Sequence, residues 1–271
     1  MLRYSAIIAL AIILLGYRSL GQELFVYSEP ASNMPKRSVG LRMTNWLMNE
    51  TATSHINYHL IPEIMWGANK RTMLHVDAFL SNKEGAFALE GAGFYAKYRF
   101  YSTDKVHRHL RIAAFGRITS NNAPIHREEI ATYGHNSGYQ LGMVGTQLLH
   151  KTALSFTAYY EQALDNGNGH AFPATLANND ISYVASIGHL ILPRHYNNYE
   201  QTNLNLMVEL LGQLQPQNGK QYLDIAPSVQ FIFNSQTRVD IGYRQQLYSS
   251  MVRNAPNGLL IRIEHLFYNL L

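Results

Sequence analysis

The sequence predicts an all-β protein, an antiparallel up-and-down transmembrane β-barrel of about twelve strands, and three observations carry that reading. The first is the stretch Gly91–Thr119. Every second residue from Ala92 is apolar or aromatic (Ala92, Phe94, Ala96, Tyr98, Phe100), while the other parity holds Lys97 and Arg99. After a polar turn the alternation resumes, with Leu110, Ile112, Ala114 and Ile118 on one face and Arg111, Phe115 and Arg117 on the other. Strand side chains alternate with a period of two, so this is a hairpin with one greasy and one basic face. The second observation is a charge sort over the whole chain. When the more apolar parity of each strand is taken as outward, the inward parity holds all fifteen strand charges. They are Arg42, Glu63, Asp77, Lys97, Arg99, Arg111, Arg117, Glu161, Glu209, Asp224, Arg238, Asp240, Arg244, Arg262 and Glu264; the outward parity holds no Asp, Glu, Lys or Arg. An Arg or Lys facing lipid at mid-depth costs about 2–4 kcal/mol, whereas a solvated sheet face tolerates strays. The third is loop length. Connections after even strands are mostly short (Gly67–Arg71, Ser102–Lys105, His150–Thr152, Asn234–Gln236), and the two longest, Ser120–Gly138 and Ala163–Asp180, follow odd strands. Outer-membrane barrels have short periplasmic turns and long external loops.

Element by element, alternation and turn residues place strands at Ser38–Met48, Ile56–Trp66, Thr72–Leu80, Gly91–Tyr101, Leu110–Ile118 and Tyr139–Leu149. The rest fall at Ala153–Gln162, Ile181–Leu190, Thr202–Leu211, Tyr222–Phe233, Thr237–Leu247 and Leu259–Tyr268. Pro62 and Pro227 sit on the outward parity inside strands, where each removes a ladder donor and implies a bulge or a shifted register. Aromatics including Trp46, Tyr58, Trp66, Tyr98, Tyr183, Tyr222 and Tyr243 stand where girdles at the two lipid–water interfaces would want them. Glu23–Arg37, with Pro30 and Pro35, reads as an irregular periplasmic lead-in.

Residues 1–21 have the form of a secretory signal: Arg3, then the apolar run Ser5–Gly16, then small residues at Ser19 and Gly21. Its removal leaves 22–271 as one barrel domain with 20 basic against 18 acidic residues, a balance too even and too dispersed for nucleic-acid binding. No apolar run in that body is long enough for a membrane helix. The chain has no cysteine, which excludes disulfides, thiolate metal sites and a lipid-modified cysteine anchor.

The segments Ser28–Asn45, His135–Ser155 and Gln201–Leu247 resemble a family of uncharacterised outer-membrane β-barrel proteins of Bacteroidetes-type Gram-negative bacteria. The resemblance implies an envelope location and a barrel, and it brings no substrate, cofactor or catalytic residue. Such a barrel would meet outer-membrane lipid and the barrel-assembly machinery. The last strand departs from the common pattern of a terminal aromatic residue, because Phe267 and Tyr268 are followed by Asn269, Leu270 and Leu271.

Three function classes follow. A channel or transport component would use the inward charges, with Arg42, Lys97, Arg99, Arg111, Arg117, Glu209, Asp224, Asp240, Arg244, Arg262 and Glu264 lining its lumen. Bases gather on the fourth and fifth strands and acids mostly elsewhere, which would set a transverse field favouring a small anionic or zwitterionic solute. The alternative is a non-conducting barrel, its interior closed by charge pairing, whose external loops bind a partner. A hydrolase would need a base beside a nucleophile; His135 and Ser137 share a strand face, with no orienting partner in view. Copper handling would draw on His59, Met65, Met73, His75, His107 and His109, which form no spaced ligand motif. Gly91-Ala92-Gly93 lies on a strand with no following helix and is not a dinucleotide loop.

Overall fold

The computed structural model describes residues 25–49, 56–83, 85–106, 108–125, 127–194, 200–254 and 256–270. The signal segment 1–21, the amino terminus expected at Gln22, and His107 lie outside the described residues. Twelve strands run in chain order: β1 (Val39–Asn49), β2 (Ile56–Trp66), β3 (Thr72–Ser81), β4 (Ala88–Lys105), β5 (Arg108–Asn121) and β6 (Gly138–Leu149). They continue as β7 (Thr152–Ala163), β8 (Asn179–Leu192), β9 (Asn203–Leu214), β10 (Gln221–Phe233), β11 (Thr237–Ser249) and β12 (Asn257–Phe267). Each pairs antiparallel with its sequence neighbours, and β1 closes onto β12 from Val39↔Phe267 to Asn49↔Asn257. A closed ladder leaves no sheet edge, which is what lets strands sit in hydrocarbon. The start of β1 and the end of β12 lie at one rim, called here the terminal end; the two long connections lie at the other, the loop end.

The outward face is the apolar parity. Leu41, Met43, Phe94, Ile118, Leu141, Phe156, Leu206 and Ile263 are all exposed, an apolar surface wound round the whole barrel. Single exposed apolar residues are ordinary on soluble proteins, but a continuous belt is not. A concrete consequence concerns Met143, mid-strand in β6 opposite Ala114 and Ala158 and 52% exposed. Met143→Arg is expected to lower unfolding stability in lipid bilayers by about 2–4 kcal/mol. The same arginine at Val106, in the β4–β5 turn, should leave guanidinium unfolding curves within error of wild type.

Two of the aromatics assigned to girdles point inward instead. Trp46 is 9% exposed and meets Tyr27, and Tyr222 is buried beneath Arg253. Each shares its strand's inward parity with charged residues, so parity decides its direction and aromatic character does not. The two strand prolines neither shift the register nor make bulges. β2 stays in phase with β3 across Pro62, and β10 stays in phase with β11 across Pro227; the ladder skips residues 61–62 and 226–227. The β4–β5 hairpin is longer than the sequence pattern implied, because Ser102–Lys105 pair with Arg108–Arg111 as strand. Those polar residues resemble turn chemistry, yet the ribbon projects past the apolar belt into water, where polar strand residues are at home.

Inside, the barrel holds little conventional core. One apolar cluster joins Phe25 and Val26 to Trp46, Ile61, Phe79, Ala153, Met207 and Leu260 from the wall. Around it the interior is ionic. Arg42 contacts Glu29, Glu63 and Glu264, and Glu264 is 2.9 Å from Arg238, which in turn is 3.0 Å from Asp240. Burying ions is costly, and a chain of this kind offsets much of that cost by giving each ion a partner. Gly93 makes room for one such pair. A Cβ there would fall 2.0 Å from an Asp77 carboxylate oxygen, in the space that lets Asp77 meet Arg117.

Candidate functional site: the occupied lumen

The chain before β1 is not a lead-in lying in water. It turns into the barrel and crosses the lumen, and an irregular backbone in that position must find hydrogen bonds on the wall. Glu209 of β9 accepts three of its N–H groups. Its Oε1 accepts the backbone N–H groups of Val26 (2.8 Å) and Tyr27 (2.7 Å). Its Oε2 accepts the Ser28 N–H (3.1 Å), the Ser28 hydroxyl (2.8 Å) and the Ser186 hydroxyl (3.0 Å). Farther along, the Ala31 N–H donates to Thr146 Oγ1 at 2.9 Å. The Lys97 ammonium donates to the Pro30 and Ser32 carbonyls at 2.6 and 2.8 Å, and Arg111 to the Ser32 hydroxyl at 2.8 Å. With Ser186 of β8 against Ser28 and Arg42 of β1 against Glu29, six strands hold one tethered segment, here called the plug.

The long β5–β6 connection, described over residues 122–125 and 127–137, folds inward from the loop end and forms a lid. Glu129 meets Arg253 (3.0 Å) from the β11–β12 connection and Arg244 (3.6 Å) from β11. Burial alone would raise the Glu129 pKa, but Arg253 and Arg244 outweigh it and hold the carboxyl below its usual range. Arg253 also forks onto both oxygens of Asp224, at 2.6 and 2.8 Å, and stacks 3.6 Å from the Tyr222 ring centre. Gln213 both accepts from the Ile130 N–H and donates to its carbonyl. Thr132 donates its N–H and hydroxyl to Glu161, and the Tyr133 hydroxyl donates to Glu63. At the lid's outer edge Glu128 pairs with Lys220, and that hydrogen bond keeps its carboxyl acidic.

Between plug and lid lies a cavity of about 210 Å³. Its wall mixes aromatic rings (Trp46, Tyr95, Phe115, Tyr133, Tyr159, Tyr222) with four arginines: Arg42, Arg117, Arg244 and Arg262. Among the residues expected to line the lumen, Arg42, Glu264 and Asp240 belong to the ionic chain described above. Asp224 binds Arg244 (2.5 Å) as well as Arg253. Glu209, Lys97 and Arg111 hold the plug. Arg262 donates its Nε–H to Thr44 Oγ1 at 3.1 Å. Arg99 lies apart from these, at the terminal rim, where it donates to the Lys70 carbonyl of the exposed β2–β3 turn. A one-sided basic wall does not form. Arg117 pairs with Asp77 and stacks over Tyr133, Arg111 reaches Asp104 (3.3 Å), and Lys97 is taken up by plug carbonyls.

Tyr27, Glu29, Glu129 and Arg253 were not anticipated, because they come from segments with no strand period. One signal was present: Phe25-Val26-Tyr27, three apolar residues in a row, is a poor composition for a segment lying in water.

The hydrolase pair does not assemble. The Ser137 hydroxyl accepts the Asn121 N–H and donates to the Asn121 carbonyl, closing the strand end. The His135 ring packs edge-on against His59 at 4.7 Å; burial, with His59 beside it, holds its pKa well below the usual imidazole range. The histidines considered for copper are also apart in role: His109 binds Asp104, and His75 sits 2.5 Å from Glu63. Glu29, Glu63 and His75 do bring three ligand atoms within 4.8 Å of one another, but Arg42 already places a cation against both carboxylates.

Neither a protein-family model nor a curated protein matches the sequence. Solved structures do share the architecture. An outer membrane channel from Pseudomonas putida F1 superposes with a TM-score of 0.55 at 12% identity, over 90% of this chain and 100% of that one. Outer membrane phospholipase A from Escherichia coli gives 0.42 at 11% identity, covering 91% and 95% of the two chains. OccK2 of Pseudomonas aeruginosa gives 0.41 at 9%, covering 85% and 96%. At such identities the first likeness speaks for the fold: a complete barrel of the outer-membrane kind.

Proposed function

We propose that this protein is an outer-membrane channel closed by its own amino-terminal segment, and that small anionic or zwitterionic solutes pass when the segment moves aside. In this reading residues 1–21 are removed on export and the assembly machinery inserts the barrel. The terminal end faces the periplasm and the lid faces outward. The observation that carries it is how the plug is held. It is joined to the wall by side-chain hydrogen bonds, the Glu29–Arg42 ion pair and one small apolar contact, not by strand pairing. Groups of this kind are re-solvated when a segment leaves, so each bond contributes only about 0.5–1.5 kcal/mol net. A strand built into the ladder would have no such exit. The Pseudomonas putida channel, similar in overall barrel, supports the same class of function.

The test uses the absence of native cysteine. The Ser28 and Ser186 hydroxyls are 3.2 Å apart, close enough for a Ser28→Cys, Ser186→Cys pair to bridge. In planar bilayers, wild type should show sparse openings, the oxidised pair none, and the reduced pair openings again. A variant lacking residues 25–33 should conduct in larger, long-lived steps. A plug-deleted barrel that inserts but stays silent would overturn the channel and leave a scaffold whose external loops bind a partner.

A further inference from the structure

Every lining arginine of the cavity but one is neutralised. Arg42 contacts three carboxylates, Arg117 pairs with Asp77, and Arg244 pairs with Asp224 and Glu129. Arg262 has no carboxylate within 4.0 Å among the described residues, although it is only 6% exposed. Asp240 lies directly across the ladder from it, yet that carboxylate is taken by Arg238 and Gln230. Only Nε of Arg262 is bonded, to Thr44; its two terminal nitrogens make no hydrogen bond among the described residues and open onto the cavity. The acids of the lining are committed in turn. Glu29 and Glu63 hold Arg42, Glu129 holds Arg253, and Glu161 takes both donors of Thr132. A buried guanidinium carries five N–H donors in a planar fork that suits a carboxylate bidentately. Leaving it without an anion is costly, since burying an unpaired charge is among the most unfavourable things a fold does.

We propose that the cavity between plug and lid is a binding site for a small carboxylate with an aromatic or apolar body, anchored by Arg262. The two terminal nitrogens take the carboxylate, and the body lies among Trp46, Phe115, Tyr133 and Tyr159. At about 30 Å³ per water the cavity equals about seven waters, room for a single ring with its acid group. Aromatic walls favour a flat body through face and edge contacts. The inference rests on the channel reading for its physiological sense, because it gives the solute a resting place on the path that the plug closes. The site itself stands on Arg262 and the cavity alone.

The experiment is a titration of the full-length mature protein in detergent with benzoate, and in parallel with neutral benzamide. Emission from Trp46 is followed in a Trp66→Phe background, since Trp66 is the other tryptophan and faces outward. Benzoate should change the emission saturably and bind at least tenfold more tightly than benzamide. Arg262→Met should remove that preference, and Arg262→Lys, which keeps the charge without the fork, should retain part of it. Equal binding of benzoate and benzamide to the unaltered protein overturns the proposal, and that comparison needs no variant to fold. Discrimination that survives Arg262→Met overturns it as well. Saturable, Arg262-dependent binding in a barrel whose plug-deleted form does not conduct would leave the site standing and end the channel reading. Conduction without binding would do the reverse.

Discussion

Glu209→Ala is expected to empty the lumen while leaving the barrel folded. The carboxyl group of Glu209 accepts five donors, four from Val26, Tyr27 and Ser28 and one from Ser186. No other side chain stands ready to take them. Inside the lumen those groups would be left unpaired, whereas outside it water would satisfy every one of the plug's. Even at the low end, about 0.5 kcal/mol per bond, the four plug bonds sum to about 2 kcal/mol, or about a 30-fold shift toward the withdrawn state. The wall should scarcely notice, since the ladder around Glu209, to Ser186 and Ala226, is made of backbone bonds. Two readouts separate plug release from general damage. Chymotrypsin should cut near Phe25 and Tyr27 in the variant and not in wild type, while the folded barrel keeps its heat-modifiable mobility on gels. Conductance should rise with the cutting. A variant whose plug stays protected would show that the remaining contacts, of Phe25 and Val26 with the apolar wall and of Arg42, Thr146, Lys97 and Arg111 with the segment, hold it without Glu209.

Arg253→Met should have the largest effect on stability. Its guanidinium is 2% exposed and joins Asp224 of β10 to Glu129 of the lid. Removing one partner of a buried ion pair strands the other, at about 3–5 kcal/mol. Both carboxylates keep Arg244, but it lies 2.5 Å from Asp224 and 3.6 Å from Glu129, so the group left more weakly paired is Glu129. That asymmetry makes a sharper forecast: Arg253→Met with Glu129→Gln should recover a large part of the loss, because the amide needs no counter-ion. Guanidinium unfolding of the two variants measures it. If the single variant unfolds with wild type, the latch is an ornament of the loop end.

How much of this was legible in the residues differs between wall and filling. The wall was open to reading because lipid enforces a rule on every second residue: Phe94, Ile118, Leu206 and Ile263 lie outside, and Arg42, Asp77, Glu209 and Glu264 lie inside, for one reason repeated twelve times round. Even there the rule set direction and not length, so the water-facing extension at Ser102–Lys105 escaped it. The filling obeys no period. Glu29, Glu129 and Arg253 belong to irregular segments, and their partners lie far off in sequence, 124 positions apart for Glu129 and Arg253. Parity also could not say which inward charges meet. It put Lys97, Arg111 and Arg117 on one side and left their separate ends unseen: plug carbonyls, Asp104 and Asp77.

The bond from Val26 to Glu209 spans 183 positions of chain. Among the described residues, the stretch that precedes the wall in sequence thus finds its seat on a hairpin close to the finish. Through most of assembly the carboxylate that accepts four of its donors does not exist. Such distant closures wait on the topology around them, so the cork goes in after the bottle is blown, and every half-built intermediate carries it loose.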